Sequence, residues 1–185
     1  MLRTGARACY AEKVSRSPTA DVFSVARHVR HRLGQVDPRK LQKLVYYVQA
    51  WSLVWRQRPA FGERIEAWVD GPVSPDLWTD GIQHTGRVQS AGDLSPEDCA
   101  HVDRVLEAYG AMSTRELIDL SHDERPWREA RGSLPASARS QDEISQTAMA
   151  TYYAERWRDA DADREAIDRP TFSGSSDELD AVLAR

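Results

Sequence analysis

The sequence predicts a mainly α-helical fold, a compact multi-helix domain around a central apolar helix (about residues 38–56), with one short β-strand or hairpin (about residues 61–69). Three observations predict it. Apolar and aromatic residues cover all sides of residues 40–55, which is typical of a helix in the middle of a fold. Helix-capping residues recur along the rest of the chain. Two-residue alternation, the sign of a strand, is found after Pro59.

The length and composition of the chain limit the class of protein that it can be. A chain of 185 residues, 41% apolar and 29% charged, fits one soluble globular domain. Apolar runs stay shorter than the roughly 18 residues of a membrane span, and the N-terminus has no apolar core of a secretory signal. Two cysteines, Cys9 and Cys99, indicate a reducing compartment without a disulfide framework, so we expect a cytoplasmic protein.

The first helix is predicted to follow a basic arm of loose structure at residues 1–20. Asp21 is a suitable N-cap, apolar residues recur at helical spacing, and Gly34 is a natural stop. Residues 1–43 contain ten Lys and Arg against three Asp and Glu, and Arg27 and Arg30 lie on this helix. The basic surface is either a solvated helix face or a contact for an anionic partner.

The second helix has a clear start, because Asp37 can cap it and Pro38 suits its first position. Four polar side chains are embedded in its apolar surface: Lys43, Tyr46, Tyr47 and Gln49. An unpaired buried polar group costs about 1–3 kcal/mol, so each needs a partner, and Glu66 is a candidate partner for Lys43 or Tyr46. The set is either a satisfied core network or the lining of a groove for a partner segment.

The remaining elements follow from turn and capping signals. Residues 65–69 alternate as a strand, and Asp70-Gly71-Pro72 is predicted to be a turn before a helix that Ser74-Pro75 caps. Three capping boxes predict three further helix starts: Ser95 with Asp98, Ser113 with Glu116, and Ser140 with Glu143. Pro126 and Trp127 begin a short helix that ends at Gly132, and residues 154–185 are predicted to form a charged, partly disordered extension.

Catalytic and metal-binding patterns are weak in this sequence. His122 and Glu124 lie in one acidic stretch, but near-adjacent helical residues point in different directions and do not converge on one metal ion. Cys99 has no base near it in sequence, which favours a small helix residue over a nucleophile. We therefore expect no metal site and no cofactor.

Tryptophan is the remaining candidate for recognition. Trp51, Trp55, Trp68, Trp78 and Trp127 are mostly expected in the core, although tryptophan is also frequent among the residues that dominate interface affinity. Trp55 and Trp78 lie near the ends of predicted elements and are the two candidate interface residues.

Four segments each contain a distinct motif, and the motifs follow one another in a fixed order. The segments are KLQKLVYYVQAWSL at Lys40–Leu53, IEAWVDGPVSPDLW at Ile65–Trp78, YGAMSTRELIDLSHDERPWREAR at Tyr109–Arg131 and DEISQTAMATYY at Asp142–Tyr153. Together they resemble the Panacea antitoxin domain, the family that includes SocA-type antitoxins and phage GepA-like proteins. The resemblance covers about residues 21–153. It departs from the family pattern where Ser121 replaces a Thr and where Trp78 stands in place of a common Tyr.

The resemblance implies a bacterial or phage antitoxin of a type II system, which binds a cognate toxin, encoded by a neighbouring gene, and has no catalytic activity. Four residues are candidate toxin contacts: Arg27, Arg30, Trp55 and Trp78. The motif residues are expected to build the scaffold: Lys43, Tyr46, Tyr47, Gln49, Trp51, Glu66, Trp68, Gly71, Pro72, His122, Glu124, Pro126, Trp127 and Arg131.

Two alternatives from other classes stay open at this point. One is a hydrolase that uses His122 and Glu124 near the Gly71-Pro72 turn. The other is a DNA-binding regulator that uses the basic first helix, although a pI of about 5.8 and the lack of an aromatic platform argue against a dedicated nucleic-acid binder. Assembly into a homo-oligomer is also left open.

Overall fold

The computed structural model describes residue 18 and residues 20–135 and 137–168, with the side chains of 161–168 left aside. Within these residues there are eight helices and two strands. In chain order they are α1 (Val22–Leu33), α2 (Pro38–Trp55), β1 (Glu66–Trp68), β2 (Gly71–Val73), α3 (Pro75–Gln83), α4 (Arg87–Ser90), α5 (Pro96–Tyr109), α6 (Thr114–Asp123), α7 (Arg125–Arg131) and α8 (Gln146–Asp168). The mainly α-helical fold is confirmed.

Helix α2 is the centre of the core. Every residue from Leu41 to Val54 is buried, because α1, α5, α6 and β2 all pack against it. The predicted cap is present, since the Asp37 carboxylate accepts hydrogen bonds from the backbone N–H groups of Arg39 and Lys40 at 2.9 and 3.2 Å. A helix covered on all sides must be apolar on all sides, which is why its sequence identified it.

The hairpin lies further along the chain than the predicted hairpin boundaries. Strands β1 and β2 pair antiparallel, with Glu66 opposite Val73 and Trp68 opposite Gly71. The predicted turn at Asp70-Gly71-Pro72 is therefore wrong in its boundaries, because residues 69–70 make the turn and residues 71–73 form the second strand. Phe61, the first residue of the predicted hairpin, instead forms an isolated bridge with Ala20.

The third predicted capping box is also wrong. The Ser140 hydroxyl bonds to Asp142 within its own loop, and α8 begins only at Gln146. The intervening residues are extended and bond to β1, with the N–H of Ile144 donating to the carbonyl of Ile65 at 2.8 Å. This pairing is non-local, so a local capping signal could not predict it.

The helix starts at Asp21, Ser95 and Ser113 agree with their signals, whereas Ser74 precedes α3 without the predicted cap, because its side chain makes no hydrogen bond to the helix. Ser113 and Glu116 form a complete capping box at α6, and the Ser95 hydroxyl accepts from the N–H of Asp98 at α5. Asp21 caps α1 by accepting from the N–H of Ser24 at 2.7 Å. These caps depend on residues three positions apart and could therefore be predicted from sequence.

The chain divides into two units, Met1–Ala154 and Glu155–Arg185. The first unit contains the hairpin, helices α1 to α7 and the start of α8. In the second unit, α8 continues to Asp168. The partly disordered extension at 154–185 stays a prediction, and its residues 169–185, like residues 1–17 of the predicted arm at 1–20, lie outside the described residues. None of the helices in the described part of the chain is long and apolar enough to span a bilayer.

Candidate functional site

A buried cluster of hydroxyl groups surrounds the carboxylate of Glu124, which is 1% exposed at the junction of α6 and α7. The hydroxyl of Tyr153 donates to this carboxylate at 2.5 Å, and the hydroxyl of Tyr47 lies 3.5 Å from the same oxygen. Burial and the Glu124 carboxylate raise the pKa of the Tyr46 hydroxyl well above 10, and its oxygen lies 3.4 Å from that of Tyr153. The cluster connects α2, α7 and α8 inside the core.

Other motif side chains bind backbone groups. Gln49 accepts from the N–H of Ala60 at 2.8 Å and donates to the carbonyl of Phe61 at 3.0 Å, which fixes the loop after α2. The indole of Trp127 donates to the carbonyl of Trp68 at 2.9 Å. The guanidinium of Arg131 donates to three carbonyls: those of Ala67, Pro135 and Ala138. Contacts of this kind hold segments together, as a scaffold requires; the scaffold role stays a prediction.

Glu66 is not the partner of Lys43 or Tyr46, so that prediction is wrong. Its carboxylate accepts from the indole N–H of Trp68 at 2.7 Å and pairs with Arg64 at 2.8 Å. The physical reason is the strand period: Glu66 and Trp68 are two residues apart and therefore lie on the same face of β1. Lys43 instead donates to the carbonyl of Pro72 at 3.0 Å.

Lys43 is a fully buried cation in α2 beneath the hairpin. Desolvation lowers the pKa of its ammonium group from 10.5 to about 7, although the Asp70 carboxylate opposes this shift. Gly71 makes the approach of β2 to this group feasible: its φ is +92°, and a Cβ there would lie 2.6 Å from the Lys43 Cε and 2.7 Å from the Ser121 Oγ. Glycine is therefore required on both conformational and steric grounds.

An open cleft of about 680 Å³ lies between the start of α2 and the hairpin. Trp68, Trp78 and Val73 supply its apolar wall, and the two indole rings meet edge to face with centroids 5.9 Å apart. Apart from Val69, its remaining lining is polar or charged: Arg39, Gln42, Lys43, Asp70, Arg139, Ser140 and Gln141. Clefts of this size, with apolar walls and a few polar groups, are typical of binding sites.

His122 and Glu124, the proposed hydrolase pair, contact different groups. The His122 ring stacks on Trp127 with centroids 4.1 Å apart, and burial, followed by the nearby Lys43 charge, lowers the pKa of the imidazole. Its Nε2 is buried without a hydrogen-bond partner, whereas Glu124 faces the tyrosine cluster. In the described residues no group of three His, Cys, Asp or Glu side chains could hold a metal ion.

The basic face of α1 is largely compensated by carboxylates. Arg27 pairs with Asp93, and both His28 and Arg32 contact Asp103. Arg30 lies near Asp80 and contributes to lowering the pKa of that carboxyl group. These ion pairs weaken the case for α1 as a DNA-binding element, since they neutralise the charge that a phosphate backbone would need.

Sequence reasoning missed a base beside Cys99. The thiol sulfur lies 3.7 Å from Nδ1 of His28, a residue 71 positions away, and Nε2 of the same ring lies 2.9 Å from Asp103. The order of thiol, imidazole and carboxylate is that of a nucleophile with its base. Burial and three carboxylates, however, raise the pKa of the Cys99 thiol, so the protonated and weakly nucleophilic form is favoured.

The two candidate interface tryptophans lie at opposite ends of α2. Trp78 faces the cleft with Lys43, whereas Trp55 stacks on Trp51 at 4.7 Å beneath the Arg104 guanidinium. Lys43 and Trp55 are twelve residues apart, which is about 18 Å along a helix axis. The predicted toxin contacts are thus distributed over several surfaces of the first unit.

Residues 41–128 match the family model described as "Antitoxin SocA-like, Panacea domain". No curated protein and no solved structure matches the chain. The matched segment contains α2 from Leu41 onward, the hairpin, the cleft wall and the His122–Glu124 junction. The resemblance derived from the motifs is therefore confirmed over residues 41–128, the segment that is similar to the SocA-like Panacea family.

Proposed function

We propose that this chain is the antitoxin of a type II toxin–antitoxin system, and that it neutralises a cognate toxin by direct protein–protein binding. The observation that carries the proposal is the match of residues 41–128 to the SocA-like antitoxin family. The contacts of the motif residues support it, since the conspicuous polar groups of the motifs bind each other or the backbone inside the core.

The functional unit that we propose is the segment 21–153, acting in the cytoplasm on a toxin encoded by a neighbouring gene. A standard protein interface buries about 1,600 Å² in total, so more than one element must contribute. Among the predicted contacts, Arg27 and Arg30 are half-buried on α1, and Trp78 is half-buried beside the cleft. Substituting Arg27 with Glu should mainly slow association, whereas Trp78→Ala should mainly speed dissociation.

The test is co-expression. The product of the adjacent gene, expressed alone, should arrest growth, and expression with this chain should restore it. The two proteins should then co-purify as a stoichiometric complex, and the purified chain should leave the toxin chemically unmodified by mass spectrometry. Normal growth with the adjacent product alone, together with no complex, would sink the proposal. A modified or cleaved toxin would favour an enzymatic antitoxin instead.

A further inference from the structure

The cleft beside Trp78 carries an excess of positive charge. Arg39, Lys43 and Arg139 line it, against the single carboxylate of Asp70. Arg39 and Asp70 are 3.7 Å apart and more than half exposed, so their ion pair is weak and readily exchanged. Arg139 is exposed and has no ion-pair partner among the residues that the structure describes. The cleft is thus locally cationic in a chain whose net charge is −4.

The floor of the cleft also favours a negatively charged ligand. Lys43 is fully buried there, so its charge can attract an anion in the cleft without direct contact. The exposed arginines at the rim can contact the anion directly. The Lys43 ammonium group donates to one described acceptor, the Pro72 carbonyl. When this amine is protonated, it favours a negative charge nearby, because the attraction is stronger where water is excluded. The positive end of α2, which begins at Pro38, acts in the same direction.

The wall of the cleft is apolar and aromatic. Trp68 and Trp78 are half-buried, so each presents part of an indole ring to whatever enters, and Val73 also lines the cleft. Tryptophan and arginine are the residues that most often dominate the affinity of protein interfaces. The juxtaposition therefore suits a ligand that has an apolar side chain next to a carboxylate.

From this charge complementarity we infer that the cleft receives an acidic segment of the toxin, in which an Asp or Glu lies between Arg39 and Arg139 and a neighbouring apolar side chain packs on Trp68 and Trp78. This inference rests on the proposed function and names the anchor of that interaction. Because the rim residues are exposed, a loop or helix of the partner can enter without any unfolding of the hairpin.

The experiment measures the dissociation constant of the complex with full-length chain by isothermal titration calorimetry. Arg139→Gln should weaken binding about tenfold, and Trp78→Ala about thirtyfold or more. Arg128→Gln is the matched control for the arginine, because Arg128 is also exposed and lacks an ion-pair partner among the described residues but lies on α7. Ile82→Ala is the control for the tryptophan, because Ile82 is 62% exposed on the same helix α3 and does not line the cleft. Both controls should change the constant less than threefold.

Charge exchange then tests the acidic partner. Arg139→Glu should weaken the complex at least a hundredfold, and replacing one toxin Asp or Glu with Lys should restore binding to this variant and not to wild type. If the cleft variants bind as wild type, the toxin docks elsewhere and the inference is overturned, although the proposed function stands. If wild type itself forms no complex, the proposed function falls and the inference with it.

Discussion

The buried ammonium of Lys43 makes the stability of the fold depend on pH. Its pKa is about 7 in the folded chain and 10.5 when the lysine is solvated. Between these values the unfolded chain binds more protons than the folded chain, so stability rises with pH. Below pH 7 both states are protonated, and the full cost of the buried charge is present. The folded chain should therefore be more stable at pH 9 than at pH 7.

The magnitude follows from the two pKa values. One unit of pH is worth at most about 1.4 kcal/mol for one titrating group, and Lys43 is already half deprotonated at pH 7 in the folded chain. Raising the pH from 7 to 9 should therefore increase the free energy of unfolding by about 2 kcal/mol. An increase of this size is a large fraction of the stability of an ordinary domain, about 5–15 kcal/mol.

The measurement is urea unfolding at pH 7 and pH 9, followed by tryptophan fluorescence. The key variant is Lys43→Met, which keeps a similar volume and removes the titrating group, so the increase of about 2 kcal/mol should disappear. Lys40→Met serves as the control on the same helix, because Lys40 is only half-buried and donates to the carbonyl of Gly110. The control variant should retain the pH dependence of wild type.

Other shifted groups do not account for this difference. The pKa values of His101 and His122 are lowered from 6.5, so these imidazoles change the free energy of unfolding mainly below pH 7. The pKa values of Tyr46 and Tyr153 are raised well above 10, so these hydroxyls change it mainly above pH 9. The Cys99 thiol is present in every variant and cancels in the comparison. An equal pH dependence in wild type and Lys43→Met would refute the argument.

Four further predictions concern folding and reactivity. Gly71→Val should lower the yield of folded protein, because its Cβ would collide with α2 and with Ser121, and circular dichroism of the soluble fraction checks this. Gly81→Ala, in open space on α3, should raise stability by about 0.5–1 kcal/mol in urea. Leu44→Ala should cost about 2–5 kcal/mol by forming a cavity, and a loss below 1 kcal/mol would contradict the central place of α2. In a Cys9→Ser background, Cys99 should react with iodoacetamide at pH 8 more slowly than in urea.

The elements that sequence predicted well are the ones that local chemistry determines. Helix α2 was identified because total burial demands apolar residues on every side, and its start because Asp37 and Pro38 are adjacent in sequence. The caps at Ser95 and Ser113 depend on partners three residues away. In each of these cases the cause of the structure lies within one turn of the helix.

The incorrect predictions concern parts of the structure that depend on residues distant in sequence. Gly71 and Pro72 carry turn signals, yet β1 draws them into a strand, and residues 142–144 pair with the same strand from about 75 positions away. The base beside Cys99 comes from α1. Glu66 could not be assigned because the choice between Trp68 and Lys43 depends on which face of the strand meets α2. A single sequence does not specify these tertiary partners.

The proposed division between scaffold residues and partner contacts is based on where the motif side chains lie. At the end of α6, Glu124 turns into the tyrosine cluster while His122 stacks on Trp127, so neighbouring motif residues hold different elements together. The residues that we assign to partner contact differ in kind. Arg139 lies outside the matched segment 41–128, and Trp78 lines the cleft with it. A scaffold of buried motif residues with the proposed contacts at a separate cleft would let chains that share this fold recognise different partners without changing it.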